Sequence, residues 1–413
     1  MTDVTPDQIT EMDATDELAT FRNRFDIPDG LIYLDGNSLG CLPKATKTRI
    51  NDVVAREWGQ DLIRSWNAND WINAPARIGD KIAQLVGAKS EEIIVGDSTS
   101  INVFKCLTAS LQLNPERTTL VTESGNFPTD AYMTEGLAAI APDRIKAKLV
   151  DPDKVIDSLD EYTAALLLTH THYKSGRLRD MQAITAAAHA RGVPVIWDLS
   201  HSCGAMPVDL NSCNADFAIG CGYKYLNGGP GAPAFTFVAK RHQDKVFPAL
   251  SGWLGHKQPF AFDDTYTPAP GINRFQCGTP GIIGCAALEV GVDLMLEADM
   301  QSLRNKSSAL GDLFIQLVDQ RCYEFGFEVA CPIDPDERGS QVSFHHSDGY
   351  AIMQALIARD VIGDFRAPDI LRFGFAPLYL SYFDVWNAVD ILRDVMVSRE
   401  WDQAKFKQKA AVT

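Results

Sequence analysis

The chain has 413 residues and a formal net charge of −16, from 38 basic and 54 acidic residues. That excess argues against nucleic acid or an anionic membrane as partner, although one arginine or helix N-terminus still suffices for an anionic ligand. Hydrophobic residues make up 46%, enough for a large core, and no apolar run approaches the roughly 18–20 residues of a membrane span.

The first 30 residues are acidic and polar, unlike a secretory signal. A helix is expected over residues 6–25, with Phe21 and Phe25 on one face, and a short strand from Leu31 to Leu34. The nine cysteines are scattered without CxxC pairs. Such usage suits reduced thiols, a cytoplasmic protein and no structural zinc. Gly36-Asn37-Ser38-Leu39-Gly40 fits the Gly-x-Ser-x-Gly elbow of serine hydrolases, with Ser38 as nucleophile. Against that reading, the segment comes early, Pro43 follows closely, and no His-Gly-Gly-Gly stretch accompanies it.

Residues 44–58 and 71–86 read as helices, with Trp66 between them as a core or interface aromatic. A strand from Glu92 to Val95 leads to Asp97-Ser98-Thr99-Ser100, which opens an apolar helix. Ser and Thr are favoured at helix starts, where backbone N–H groups bind phosphate, so Thr99 and Ser100 are candidate phosphate ligands. After a strand at Thr119 to Thr122 comes Asn126-Phe127-Pro128-Thr129-Asp130. Phe127 suits an apolar platform for a planar ring, or a core side chain before a turn proline.

Strands at Arg144 to Val150 and Ala164 to Thr169 alternate with helices, including 181–191, in the βα pattern of a mostly parallel sheet. His170-Thr171-His172 invites a metal reading, but no partner carboxylate or cysteine stands near in sequence, and no metal is expected. Val193 to Trp197 is a buried strand ending in Asp198, with His201 just beyond; Phe217 to Gly220 is another, running into Tyr223-Lys224-Tyr225 and a loop with Gly228, Gly229, Pro230 and Gly231. A lysine among aromatics and apolar backbone is poorly hydrated, which lowers its proton affinity and makes it a nucleophile toward carbonyls. The alternative is an ordinary lysine whose stem packs at a strand end. An aspartate and a lysine one βα unit apart meet at the mouth of a parallel sheet, where such folds bind ligands. An anion beside a pyridine nitrogen and a reactive lysine are what pyridoxal 5′-phosphate (PLP) needs.

A helix from Ala286 to Glu297 precedes a smaller lobe with strands at Gly339 to Phe344, Val361 to Arg366 and around Arg372. An unpaired guanidinium in an apolar strand is costly. Arg372 therefore needs an anion, either an internal Asp or Glu or a substrate carboxylate, which an arginine fork grips in bidentate fashion.

Taken together, Gly36 to Gly40, Ser98 to Ser100, Phe127 to Asp130, His172-Tyr173-Lys174-Ser175-Gly176, Asp198 to His201, Tyr223 to Asn227 and Arg372 to Tyr379 resemble, in order, the kynureninase family. The resemblance implies the α/β architecture of PLP fold type I, with a mostly parallel sheet and helices on both faces in a large domain at 46–300. A smaller α+β domain would form from 1–45 and 301–413. It implies PLP on Lys224, with Asp198 at the ring nitrogen and Tyr223 as a proton donor. Further cofactor contacts would come from Thr99, Ser100, Phe127, Pro128, Thr129, Asp130, Thr169 and His201, with Asp130, Asp198 and His201 clustered at the pyridine edge. Asn37, Ser38, Trp66 and Gly278 would border the substrate, and Arg372 would take its α-carboxylate. Trp253 and Thr279 would reach the cofactor of a second subunit, making a homodimer with shared active sites. The implied reaction is hydrolytic Cβ–Cγ cleavage of L-kynurenine, or 3-hydroxykynurenine, to the anthranilate and L-alanine. A cysteine desulfurase using Cys277 and a non-catalytic binding protein on the same fold are the rivals.

Overall fold

Apolar residues at alternate positions of short strands organise the computed structural model, which describes residues 4–409. The strands are β1 (Ile32–Tyr33), β2 (Ile93–Val95), β3 (Thr119–Glu123), β4 (Lys146–Val150), β5 (Thr163–Thr169), β6 (Val195–Asp198) and β7 (Phe217–Gly220). Then come β8 (Phe235–Val238), β9 (Glu328–Val329), β10 (Gln341–His345), β11 (Val361–Ile362), β12 (Asp364–Arg366) and β13 (Ile370–Gly374). The main sheet has the order β2-β8-β7-β6-β5-β3-β4. Strands β3 to β7 pair in parallel, and β8 and β2 complete one edge antiparallel.

Strand β5 shows why the sheet is covered on both faces. Its seven residues are all buried. Leu166 and Leu168 enter one apolar layer with Val195 and Trp197; Ala165 and Leu167 enter the other with Ile196, Phe217 and Ile219. Side chains of a strand point alternately to opposite faces, so a run apolar at every position needs a partner layer on each side. Each fully buried leucine contributes roughly 1.5–3 kcal/mol from apolar transfer.

The smaller sheet, β12-β13-β10-β9, is antiparallel, and β1 pairs in parallel with β11. The N-terminal segment is therefore built into the C-terminal lobe. The expected single helix over 6–25 is replaced by a helix at Pro6–Ala14 and a 3₁₀ segment at Ala19–Arg24. Tertiary contacts break it: Asp13 accepts from the backbone of Tyr382 and Phe383 (2.8 and 3.1 Å), and Asp16 pairs with buried Lys306 at 2.6 Å. The expected helix at 44–58 is α-helical only over Lys44–Asp52 and continues as a π-helix over Val53–Asp61. The run from Val361 to Arg366 divides at Gly363 into β11 and β12, which join different sheets.

All nine cysteines are free thiols. At the end of the sheet away from Asp198, buried Asp216 accepts from His189 and His242 Nε2 (2.7 Å each), Arg241 Nη2 (2.8 Å) and the Val195 amide (2.9 Å). Burial alone would raise its proton affinity, but the hydrogen bonds from His189 and His242 hold the carboxyl far below the usual range. This contribution to stability is present above the unfolded carboxylate range and is lost as pH falls through the folded value. Asp216→Asn is expected to cost roughly 3 kcal/mol, read as a lower urea midpoint at pH 7 with unchanged slope.

Candidate active site

The turn after β7 carries Lys224. Its Nζ is 2.9 Å from His201 Nε2 and lies 5.8 Å from the Phe127 ring and 5.9 Å from the Tyr223 ring. Burial, then the charges of Lys224, Arg372 and Arg366, hold the His201 imidazole neutral by pushing its pKa well below the usual value. A neutral ring accepts from an ammonium through one nitrogen and carries its proton on the other. His201 thus stands beside the lysine, whose charge also reaches Asp198. Its Nδ1 is buried without a partner in the chain.

Asp198 ends β6 directly beside Thr169 at the end of β5. Its Oδ1 accepts from the Ser200 amide at 2.8 Å. Burial raises its pKa, against the opposing pull of Ser200 and of the Lys224 charge. Asp130 is fully buried, accepts from Asn126 Nδ2 at 3.0 Å and Thr169 Oγ1 at 3.4 Å, and leaves Oδ1 unpartnered. Burial first, and the Asp198 charge second, raise its pKa well above normal. Two carboxyls so close cannot both ionise without a cation or a proton donor.

Two helix N-termini converge here. The helix Thr99–Ser110 is capped by Ser98, and Ser100 Oγ lies 3.2 Å from Thr129 Oγ1 in the first turn of the helix Pro128–Ile140. Phe127, at the cap of that second helix, offers no side-chain acceptor; Pro128 has no N–H and the Asp130 amide donates to the Phe127 carbonyl (3.0 Å), which leaves the Thr129 amide for an anion. An amine, a flat half-exposed phenyl ring, unpartnered atoms on Asp130 and His201, and an anion cradle are the complement of PLP. The residues fit that group.

Arg372, 2% exposed at its side chain, is already paired. Its Nε donates to Asp364 Oδ1 (2.8 Å), its Nη2 to Asp364 Oδ2 and to Ser38 Oγ (2.9 Å), and its Nη1 to the Tyr173 carbonyl (2.5 Å). Of the two anions considered for Arg372, the internal one is present, supplied by its cross-strand partner in the β12–β13 hairpin. Arg366 Nη2 also reaches Asp364 Oδ2 at 2.6 Å. Ser38 donates to the same oxygen at 2.7 Å. No histidine is among the partners of Ser38, and the serine-nucleophile reading is withdrawn: its hydroxyl belongs to this charge cluster.

Asn37 lies among Gln341, Asp35 and Arg372. The glycines around it serve close packing. The Gly40 amide donates to the Tyr223 carbonyl at 2.8 Å. A Cβ on Gly40 would stand 2.3 Å from the Lys224 carbonyl oxygen, and one on Gly374 would stand 2.0 Å from Asn37 Oδ1.

Trp66, Trp253 and Thr279 line an apolar cavity of about 560 Å³ with Ile63, Ile72 and Phe260. Gly278, Thr279 and Cys277 line a neighbouring space of about 340 Å³ beside buried Lys105. Lys224 lines neither space. His170 packs edge-on against Trp197, while His172 bonds the Gly125 carbonyl at 2.9 Å; the two rings face different surroundings. The residues that sequence reasoning missed are Asp364, Arg366, Asp35 and Tyr173. A hairpin closing over Ala367-Pro368-Asp369 would have paired Asp364 with Arg372.

Solved structures share this fold. An Escherichia coli cysteine desulfurase superposes with a TM-score of 0.77 at 18% identity, covering 93% of this chain and 99% of that one. A C-DES variant, whose structure holds glycine covalently linked to the PLP cofactor, gives 0.79 at 16% identity, covering 90% and 99%. Fold and site define an enzyme of the PLP-dependent fold type I class.

Sequence relatives narrow the class. Residues 303–392 match the Kynureninase C-terminal domain family, and residues 74–218 match the DegT/DnrJ/EryC1/StrS aminotransferase family. The kynureninase of Pseudomonas fluorescens is 49% identical over 407 residues, covering 97% of this chain and 98% of that one. That of Burkholderia mallei (strain SAVP1) is 47% identical over 414 residues, covering 99% and 100%. The chain belongs to the kynureninase family.

The charge cluster makes a pH prediction. Burial, then the Asp364 charge, lifts the Asp35 carboxyl to about 7 in the fold, against about 3.9 for an unfolded aspartate. A raised folded value stabilises fully below the unfolded pKa, and the contribution fades as pH climbs through the folded one. Asp35→Asn should therefore gain stability relative to the parent between pH 5 and pH 8, measured as the difference in urea midpoints at the two pH values.

Proposed function

We propose that this chain cleaves the Cβ–Cγ bond of L-kynurenine by hydrolysis, releasing anthranilate and L-alanine, with Lys224 as the residue that carries PLP. The observation behind this reading is the Lys224 amine held against His201 and Phe127 at the mouth of a parallel sheet, in a chain 49% identical to a kynureninase. PLP supplies an electron sink for the charge left when the α-proton departs.

The chain's own residues do the rest. His201 orients the Lys224 amine, which takes the proton from the α-carbon. Asp198, with Asp130 behind it, sits where a ring nitrogen needs an anion to stay protonated. Phe127 gives the ring a flat apolar surface, with Pro128 beside it, and Thr99, Ser100 and Thr129 with their helix N-termini receive the phosphate. Thr169 fixes Asn126 at 2.5 Å and thereby the Asp130 carboxyl. Arg372 orients the substrate through its α-carboxylate, with Asn37 and Ser38 shaping that corner. Tyr223, whose phenol burial keeps protonated, delivers a proton to the leaving fragment.

The shared-site dimer belongs to the same proposal. Trp58, Ile63, Phe260 and Phe262 are 57–77% exposed, an apolar face suited to a second copy. It adjoins the cavity of Trp66, Trp253 and Thr279, which with Gly278 would complete the aryl pocket of the partner. Among the described residues no helix is long and apolar enough to cross a membrane. The nine free thiols suit the cytoplasm. The division into a large domain (46–300) and a small one (1–45 with 301–413) remains part of the proposal, supported by the pairing of β1 with β11.

Purified, PLP-saturated protein should release fluorescent anthranilate from L-kynurenine, with 3-hydroxykynurenine assayed in parallel. Lys224→Ala should abolish both turnover and borohydride-fixable cofactor; normal turnover by that variant would refute the assignment. Mixing inactive Lys224→Ala with an inactive Trp253→Ala variant should restore activity, because each mixed dimer then holds one intact site. If mixing restores nothing while mixed dimers form, the shared site is wrong.

A further inference from the structure

We propose that Arg366 is a second anchor for the substrate's α-carboxylate, forming with Arg372 a two-guanidinium clamp around Asp364; this rests on the kynurenine-cleaving reading.

Arg372 alone is poorly placed to receive a second carboxylate. A guanidinium has five N–H donors. Four of those on Arg372 are committed: two to Asp364, one to Ser38 and one to the Tyr173 carbonyl. Only one donor, on Nη1, is left, and the fork edge that would grip a carboxylate in bidentate fashion is filled by Asp364.

Arg366 has what Arg372 lacks. Its side chain is 33% exposed, against 2% for Arg372 and for Asp364. Nη2 bonds Asp364 at 2.6 Å and approaches Ser38 Oγ at 3.4 Å, and Nη1 reaches only the neighbouring Phe365 carbonyl at 3.3 Å. Its remaining donors are free for a ligand. Asp364 Oδ2 thus holds the two guanidiniums side by side, with the Ser38 hydroxyl between them.

The charge balance points the same way. Two guanidiniums share the single carboxylate of Asp364, whose pKa they hold low despite its burial, while burial and the Asp364 charge lift Asp35 to about 7. One negative charge is missing, and an α-carboxylate supplies it. The clamp lies within electrostatic reach of the reaction centre: the charges of both arginines, together with that of Lys224, bear on His201, which is bonded to the Lys224 amine.

The test compares the PLP-loaded parent with Arg366→Met and Arg366→Lys. KM for L-kynurenine and calorimetric binding of L-alanine and L-alaninamide would be measured, with far-UV spectra to verify folding. A charge-assisted hydrogen bond lost at the carboxylate should raise KM, and weaken L-alanine, by about 10–100-fold in Arg366→Met. With an interaction shared by ground and transition states, kcat should stay within about threefold. L-alaninamide, which lacks the carboxylate, should be unaffected, and Arg366→Lys should recover part of the loss. KM and L-alanine affinity within about twofold of the parent, or a collapse of kcat at unchanged KM, would overturn the clamp. If the parent itself releases no anthranilate, the proposed function fails; the L-alanine comparison still reports on the clamp.

Discussion

A guanidinium shielded from water must have its charge answered inside the protein, and the pair of Arg372 and Asp364 answers it. Removing either partner would strand a buried ion at a cost of several kcal/mol. The pair also gathers the chain. Asp364 and Arg372 come from adjacent strands of the small sheet, Ser38 from the N-terminal segment, and the Tyr173 carbonyl from the loop after β5. Three distant stretches of sequence therefore meet at one ion pair, and the proposed substrate corner is where they meet.

The opposite corner follows a different logic. Asp130 and Asp198 are buried together with no arginine among their hydrogen-bond partners, and burial favours the protonated form of each. Lys224 is the cation whose charge reaches Asp198. One side of the pocket thus gathers two guanidiniums around one carboxylate, and the other holds two acids short of a partner.

Much of this was readable in the sequence. The strand ends at Asp198 and Thr169, the Tyr-Lys-Tyr turn and the helix opening at Ser98 are local patterns, fixed by alternation of apolar residues and by capping chemistry. What was not readable depends on contacts far apart in the chain. Residues 6–25 have a helical pattern, yet Asp13 and Asp16 are claimed by Tyr382, Phe383 and Lys306. The hydrogen bond between His201 and Lys224, 23 residues apart, is another contact that local pattern does not give. Ser38 looked like a nucleophile because its flanking glycines imitate an elbow, when Gly36 makes room for the Tyr379 ring and Gly40 lets backbone approach the Lys224 carbonyl. Trp66 and Trp253 were legible as aromatics but not as neighbours, since only the folded chain puts them around one cavity.

The loop at residues 35–40 has a consequence for anyone who cuts or permutes the chain. On one side Gly374 N bonds the Leu34 carbonyl at 2.6 Å; on the other Gly40 N bonds the Tyr223 carbonyl at 2.8 Å. The loop works as a tie rod between the C-terminal lobe and the lysine-bearing turn. New termini opened between residues 30 and 43 would sever it while leaving every proposed cofactor contact in place. The N-terminal segment is thus mechanically continuous with the turn that carries Lys224.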